Sequence, residues 1–137
     1  MDNRKRHILN KINSSTYLGL FIAKIFGGQI VQLENGIYMN YGRKGKYKKA
    51  EVITVGDVFL VKFDRDCIHC QQKDIYLLSD NLLRHELKHS EQYAKFGGII
   101  FLALYLFASI KSFIVYRNIW QGNIFEIQAG LEDGNYI

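Results

Sequence analysis

The stretch S-D-N-L-L-R-H-E-L-K-H-S-E-Q-Y-A-K-F-G-G, residues 79–98, decides how the rest of the chain is read. Ser79 or Asp80 suits a helix N-cap, the pattern that follows keeps helical spacing up to Phe96, and Gly97-Gly98 is a helix stop. On such a helix Leu82, His85, Glu86, His89, Tyr93 and Phe96 fall near one face. His85 and His89 lie one turn apart, so both imidazoles can aim at one ion about 2.0–2.1 Å away, the distance zinc requires. Glu86 sits beside that pair, where its carboxylate can take a proton from an attacking water. With four His and six Glu in the chain, a random shuffle produces H-E-x-x-H roughly once in 250 sequences. The alternative is a pair of surface histidines beside Lys88, and the helical context favours the metal.

Upstream of this helix the pattern changes to strands. Gln29–Leu33 and Gly36–Tyr41 flank Glu34-Asn35-Gly36, and Asn-Gly is a hairpin signal. Glu51–Val55 and Val58–Phe63 follow, separated by Gly56-Asp57. The first 27 residues mix basic and apolar positions and suit an amphipathic helix ending at Gly27-Gly28. Downstream, an apolar helix is expected from Ile99 to Tyr116, and a short one from Asn123 carrying Phe125, Glu126, Ile127 and Ala129. Strands first and helices after them give α+β, with a small antiparallel or mixed sheet. At 137 residues, without a linker or repeat, one domain spanning 1–137 is expected.

The net charge is +5, concentrated in Arg4-Lys5-Arg6-His7 and in Arg43-Lys44 with Lys46, Lys48 and Lys49. Either run can attract an anionic partner, but such runs are ordinarily solvated. Tyr47 alone interleaves the second, so no nucleic acid is expected. Cys67-Ile68-His69-Cys70 has no second cysteine pair to complete a structural zinc site. The apolar run Gly97–Ile110 reaches the length of a membrane span only by including Lys111, so a buried core helix is expected there. Leu18–Ala23 after a basic start lacks the small-residue cleavage site of a signal peptide. A cytoplasmic protein is expected, with secretion or membrane association as alternatives.

A catalytic zinc takes three protein ligands and leaves one position open. Glu126, Glu132, Asp133 and Glu91 are the candidates for the third. Glu91, on the same helix, points away from the histidine pair. Glu126 lies on a separate element among apolar neighbours, though Asn123-x-x-Glu126 also reads as a capping box.

The run Leu82–Tyr93 resembles the active-site helix of the minimal gluzincin metallopeptidases, the minigluzincins and their relatives. Their pattern H-E-x-x-H-x-x-Q-Y is followed by a glycine, an apolar helix, a tyrosine, and an Asn-x-x-Glu-x-x-Ala segment. Here these correspond to Gly97, Phe101–Tyr116 and Asn123-Ile-Phe-Glu126-Ile-Gln-Ala129, and Thr54–Leu60 is similar to their strand near the active site. The resemblance covers about residues 50–130. It implies a small zincin-like fold and peptide hydrolysis, with one zinc per chain held by His85, His89 and Glu126 and with Glu86 as general base. It also suggests that Leu131–Ile137 folds over the cleft and keeps the site latent. Ile124 stands where many relatives have proline, and Gly130 where an aromatic residue is frequent. Tyr116 is a candidate for stabilising the oxyanion, against the alternative of a core tyrosine.

In zincin-like sites an extended peptide or protein substrate adds to an exposed strand edge, here near Val52–Val61. Two other functions stay open: a catalytically idle zinc-binding module, and a basic membrane- or nucleic-acid-associated protein whose histidines are incidental.

Overall fold

The computed structural model describes residues 1–27, 29–45, 51–64 and 80–134. The Cys67–Cys70 pair, Lys46, Lys48, Lys49, Ser79 and Tyr136-Ile137 lie outside them. The described residues form helices α1 (Asn3–Ile12) and α2 (Ser15–Phe26). Strands β1 (Gln29–Gln32), β2 (Tyr38–Gly45), β3 (Glu51–Val55) and β4 (Val58–Asp64) follow. Three helices come last: α3 (Asp80–Phe96), α4 (Ile99–Tyr116) and α5 (Ile124–Ala129). The architecture is α+β with a mixed sheet in the order β1-β2-β4-β3. β1–β2 and β3–β4 pair antiparallel, whereas β2 and β4 run parallel.

β4 is central, and its alternating side chains feed two cores. Val58 and Leu60 join Ala23, Tyr93, Phe101 and Phe125. Phe59 and Val61 join Ile37, Met39 and Leu82. Burial on both faces explains why the strand opens with four apolar residues in succession, Val58-Phe59-Leu60-Val61. α2 crosses the β3–β4 corner so closely that a Cβ at Gly19 would lie 2.4 Å from the Val55 carbonyl oxygen. That approach accounts for a glycine inside a helix, where it costs about 1 kcal/mol relative to alanine.

Three expectations need correction. The N-terminal helix is two helices, broken at Asn13-Ser14. The Asn13 Oδ1 accepts from the Ser15 N–H at 3.0 Å while its Nδ2 donates to the Tyr93 carbonyl at 2.9 Å, and Ser14 takes φ 66°. A short polar side chain there offers the backbone an alternative partner to the helix ladder.

The N-terminal basic run is not a solvated patch throughout. Arg6 is buried and its Nε lies 3.0 Å from Asp57 Oδ1, while His7 Nδ1 lies 2.7 Å from Oδ2. Asn10 and Ser90 also donate to Asp57, at 2.9 and 2.6 Å. This carboxylate on the β3–β4 turn therefore ties α1 to α3, the helix that carries the histidines.

The apolar helix α4 has the expected bounds but is not a buried core helix, since only 11% of it is buried. Phe101 and Ser112 are enclosed, with Tyr105 and Ala108 partly covered on the same stripe. A chain of this size docks one side of the helix and leaves the opposite side uncovered among the described residues.

Candidate metal centre

α3 presents His85, Glu86 and His89 to the interior, all buried, and α5 brings Glu126 to them. Asn123 caps α5 by itself, accepting from the Phe125 N–H at 3.0 Å, so the Glu126 carboxylate is free to turn inward. His85 Nε2 and His89 Nε2 are 3.0 Å apart, and Glu126 Oε2 lies 3.1 Å from the first and 3.2 Å from the second.

The outer ring nitrogens fix the tautomers. His85 Nδ1 lies 2.8 Å from the Gly130 carbonyl oxygen, which can only accept, so Nδ1 carries a proton. His89 Nδ1 lies 2.9 Å from Gln92 Oε1, and the Gln92 amide is oriented by its own Nε2 donating to the Phe125 carbonyl at 3.0 Å. Both Nδ1 atoms therefore donate outward, which leaves each neutral ring with its Nε2 lone pair facing Glu126. Three acceptors at this spacing repel one another unless a cation or proton sits between them. Tetrahedral zinc with bonds of about 2.0–2.1 Å needs donors about 3.3 Å apart, close to the separations found, and two imidazoles with one carboxylate are a zinc donor set. The residues fit the ion.

Charge in the site follows from these contacts. Burial works against ionised Glu126, but the adjacent His85 and His89 rings, the charge of His89 when it is protonated and the Tyr105 hydroxyl outweigh it and hold the carboxyl down to about 2. Burial also disfavours a charged His89, yet its contacts with Glu126, Glu86 and Gln92 raise its pKa. Glu86 goes the other way: burial raises it, only partly offset by His89, by the Thr54 hydroxyl and by His85. Thr54 Oγ1 donates to Glu86 Oε2 at 2.6 Å from the end of β3.

The other acidic candidates lie elsewhere. Glu91 faces Lys88 and the N-terminal amine, each at 3.3 Å, Asp133 lies 3.6 Å from Arg84, and Glu132 is exposed. Tyr116 is exposed at the end of α4, and the tyrosine that reaches the site is Tyr105, whose hydroxyl donates to Glu126 Oε1. Sequence reading passed over Tyr105, Thr54 and Asp57. The stripe Phe101, Tyr105, Ala108, Ser112, at helical spacing, is the signal that would have placed Tyr105 on the inner side.

Residues 130–134 cap one side of the site. Gly134 is buried so closely against His85 that a Cβ there would come 2.6–2.9 Å from the ring atoms Cε1, Nε2 and Nδ1. Among the described residues, His85, His89 and Glu126 are the group whose donors all lie within 4.8 Å of one another. No protein-family model matches this sequence, and no curated protein or solved structure matches it, so these three side chains and their partners carry the functional reading.

Proposed function

We propose that the chain is a zincin-like zinc peptidase in which His85, His89 and Glu126 hold one zinc and Glu86 is the general base. The observation that carries this reading is the convergence of two tautomer-fixed Nε2 lone pairs and one carboxylate oxygen at 3.0–3.2 Å, beside a glutamate that makes none of those contacts. Zinc, when bound, supplies Lewis acidity that polarises a carbonyl and brings a water's pKa towards about 7. Glu86 accepts the proton of the attacking water and passes it to the leaving amine. Thr54 holds one Glu86 oxygen at 2.6 Å, which leaves the other for that proton. Gln92, the Gly130 carbonyl and Tyr105 fix the ligands' orientation.

β3 has β4 as its one partner among the described strands and carries Thr54, so its free edge passes beside Glu86. An extended peptide pairing with that edge by main-chain hydrogen bonds would bring its carbonyls to the site, largely without regard to side-chain identity.

The test is a comparison of the wild type with Glu86→Gln on a mixed peptide library. The variant should keep its zinc and lose hydrolysis. A Glu86→Gln protein as active as the wild type would remove the mechanism.

The packing of Gly134 on His85 favours a second reading, a zinc-binding protein held latent by its C-terminal segment. Removing residues 131–137 should then raise the rate, and equal rates with and without them would dispose of latency.

A further inference from the structure

From Ile99 to Val115 every exposed side chain of α4 except Lys111 is apolar. Ile100, Phe107, Ile110 and Ile114 are between 58% and 73% exposed. The helix is about 27 Å long, and its opposite side is docked from Phe101 to Ser112, so it presents this face side-on. α2 adds a second stripe, Tyr17, Phe21 and Ile25, each more than half exposed. An apolar surface of this extent marks an interaction site.

The charges around the face select the partner. No acidic residue occurs between Glu91 and Glu126, whereas Lys95 and Arg117 bracket the helix and Lys111 lies within it. A second copy of the chain packed by this same helix would set like cations against each other, with no acidic residue on α4 itself to answer them. Lipid phosphates answer the cations, and acyl chains take the apolar side chains. Lys111 can extend its ammonium to the headgroups while its stem stays among the apolar residues. Tyr116 and Trp120, exposed at the C-terminal end, are the residue types that favour the boundary between hydrocarbon and water.

We propose that the outer face of α4 docks in the plane of a phospholipid bilayer bearing anionic headgroups. This places the third-ligand helix α5, whose Ile124 and Ile127 are also exposed, beside the membrane surface. The proposal stands on the surface alone and does not depend on hydrolysis.

The experiment is flotation of the full chain with vesicles of phosphatidylcholine, alone or mixed with phosphatidylglycerol. Fluorescence of Trp120, the sole tryptophan, is followed in parallel. The chain should float with the mixed vesicles and less with neutral ones, and brominated acyl chains should quench Trp120. Phe107→Glu, Ile110→Glu and Ile114→Glu together should reduce partitioning by at least about a hundredfold. Circular dichroism and zinc content should not change, since all three positions are exposed. A wild type that stays in the dense fraction overturns the proposal. So does a wild type that forms a dimer dispersed by the triple variant without floating, or a triple variant that floats like the wild type.

Discussion

At the scale of single residues, the site is defined by which protons its groups keep. Glu126 is held down to about 2 and His89 is raised, so in metal-free protein His89 takes a proton on Nε2 and pairs with Glu126 as pH falls below its raised value, and is the neutral ligand above it. The Glu126 contribution is complete above the ordinary carboxylate value of 4.5 and disappears as pH falls through about 2. The His89 contribution is complete below 6.5 and disappears as pH rises through its elevated value. The chelated wild type should therefore exceed Glu126→Gln in stability most clearly between 4.5 and 6.5, measured by urea denaturation across pH. Zinc must displace the His89 proton, so its affinity should fall as pH falls in a competition titration. Gln92→Ala, which removes the acceptor that fixes the His89 ring, should weaken zinc by about 10–100-fold in the same titration. Thr54→Val removes a hydrogen bond that favours ionised Glu86. With Glu86 as the base of the proposed hydrolysis, the acid limb of the rate profile should then move to higher pH than in the wild type; a limb that stays in place would exclude Glu86 as its origin.

At the scale of elements, what could be read beforehand was local. Asp80 to Phe96 and Ile99 to Tyr116 are separated by Gly97-Gly98 and carry uninterrupted helical spacing, and both helices occur at those bounds. The Asn35-Gly36 hairpin likewise joins β1 to β2. His85 and His89 were legible because four residues make one helical turn, whereas Glu126 could be tied to them only through a resemblance, since no local rule brings α5 to α3. The parallel pairing of β2 with β4 and the role of Asp57 were not legible, because both depend on partners far apart in the chain. Arg6 looks like one cation of a basic run until the fold sets Asp57 beside it. Asp57→Asn leaves Arg6 buried without its counter-charge, which should destabilise the chain by about 3–5 kcal/mol in chemical denaturation. A loss below about 1 kcal/mol would mean that this network does not secure α1 to α3.

At the scale of the whole molecule, the division between inside and outside follows from size. Two small cores on either side of β4 use one stripe each of α2, α3 and α4 and one side of α5. α3 and α5 spend their inner polar residues on one another, so the buried acceptors of the site lie where the two helices meet. α4 has more apolar surface than the two cores cover among the described residues, so an apolar pattern all round a helix does not by itself mean burial. Binding to the folded state alone should couple the site to global stability. Zinc bound at a hundred times its dissociation constant should add about 2.7 kcal/mol, and chelation should remove it.

The most direct measurement is zinc content, by elemental analysis after equilibration with limiting free metal, of the wild type, His85→Ala and Glu126→Ala. The wild type should carry one zinc per chain, with both variants retaining little at the same free zinc. A wild type without stoichiometric zinc, or a Glu126→Ala protein with full occupancy, would contradict the assignment of these three side chains to one ion.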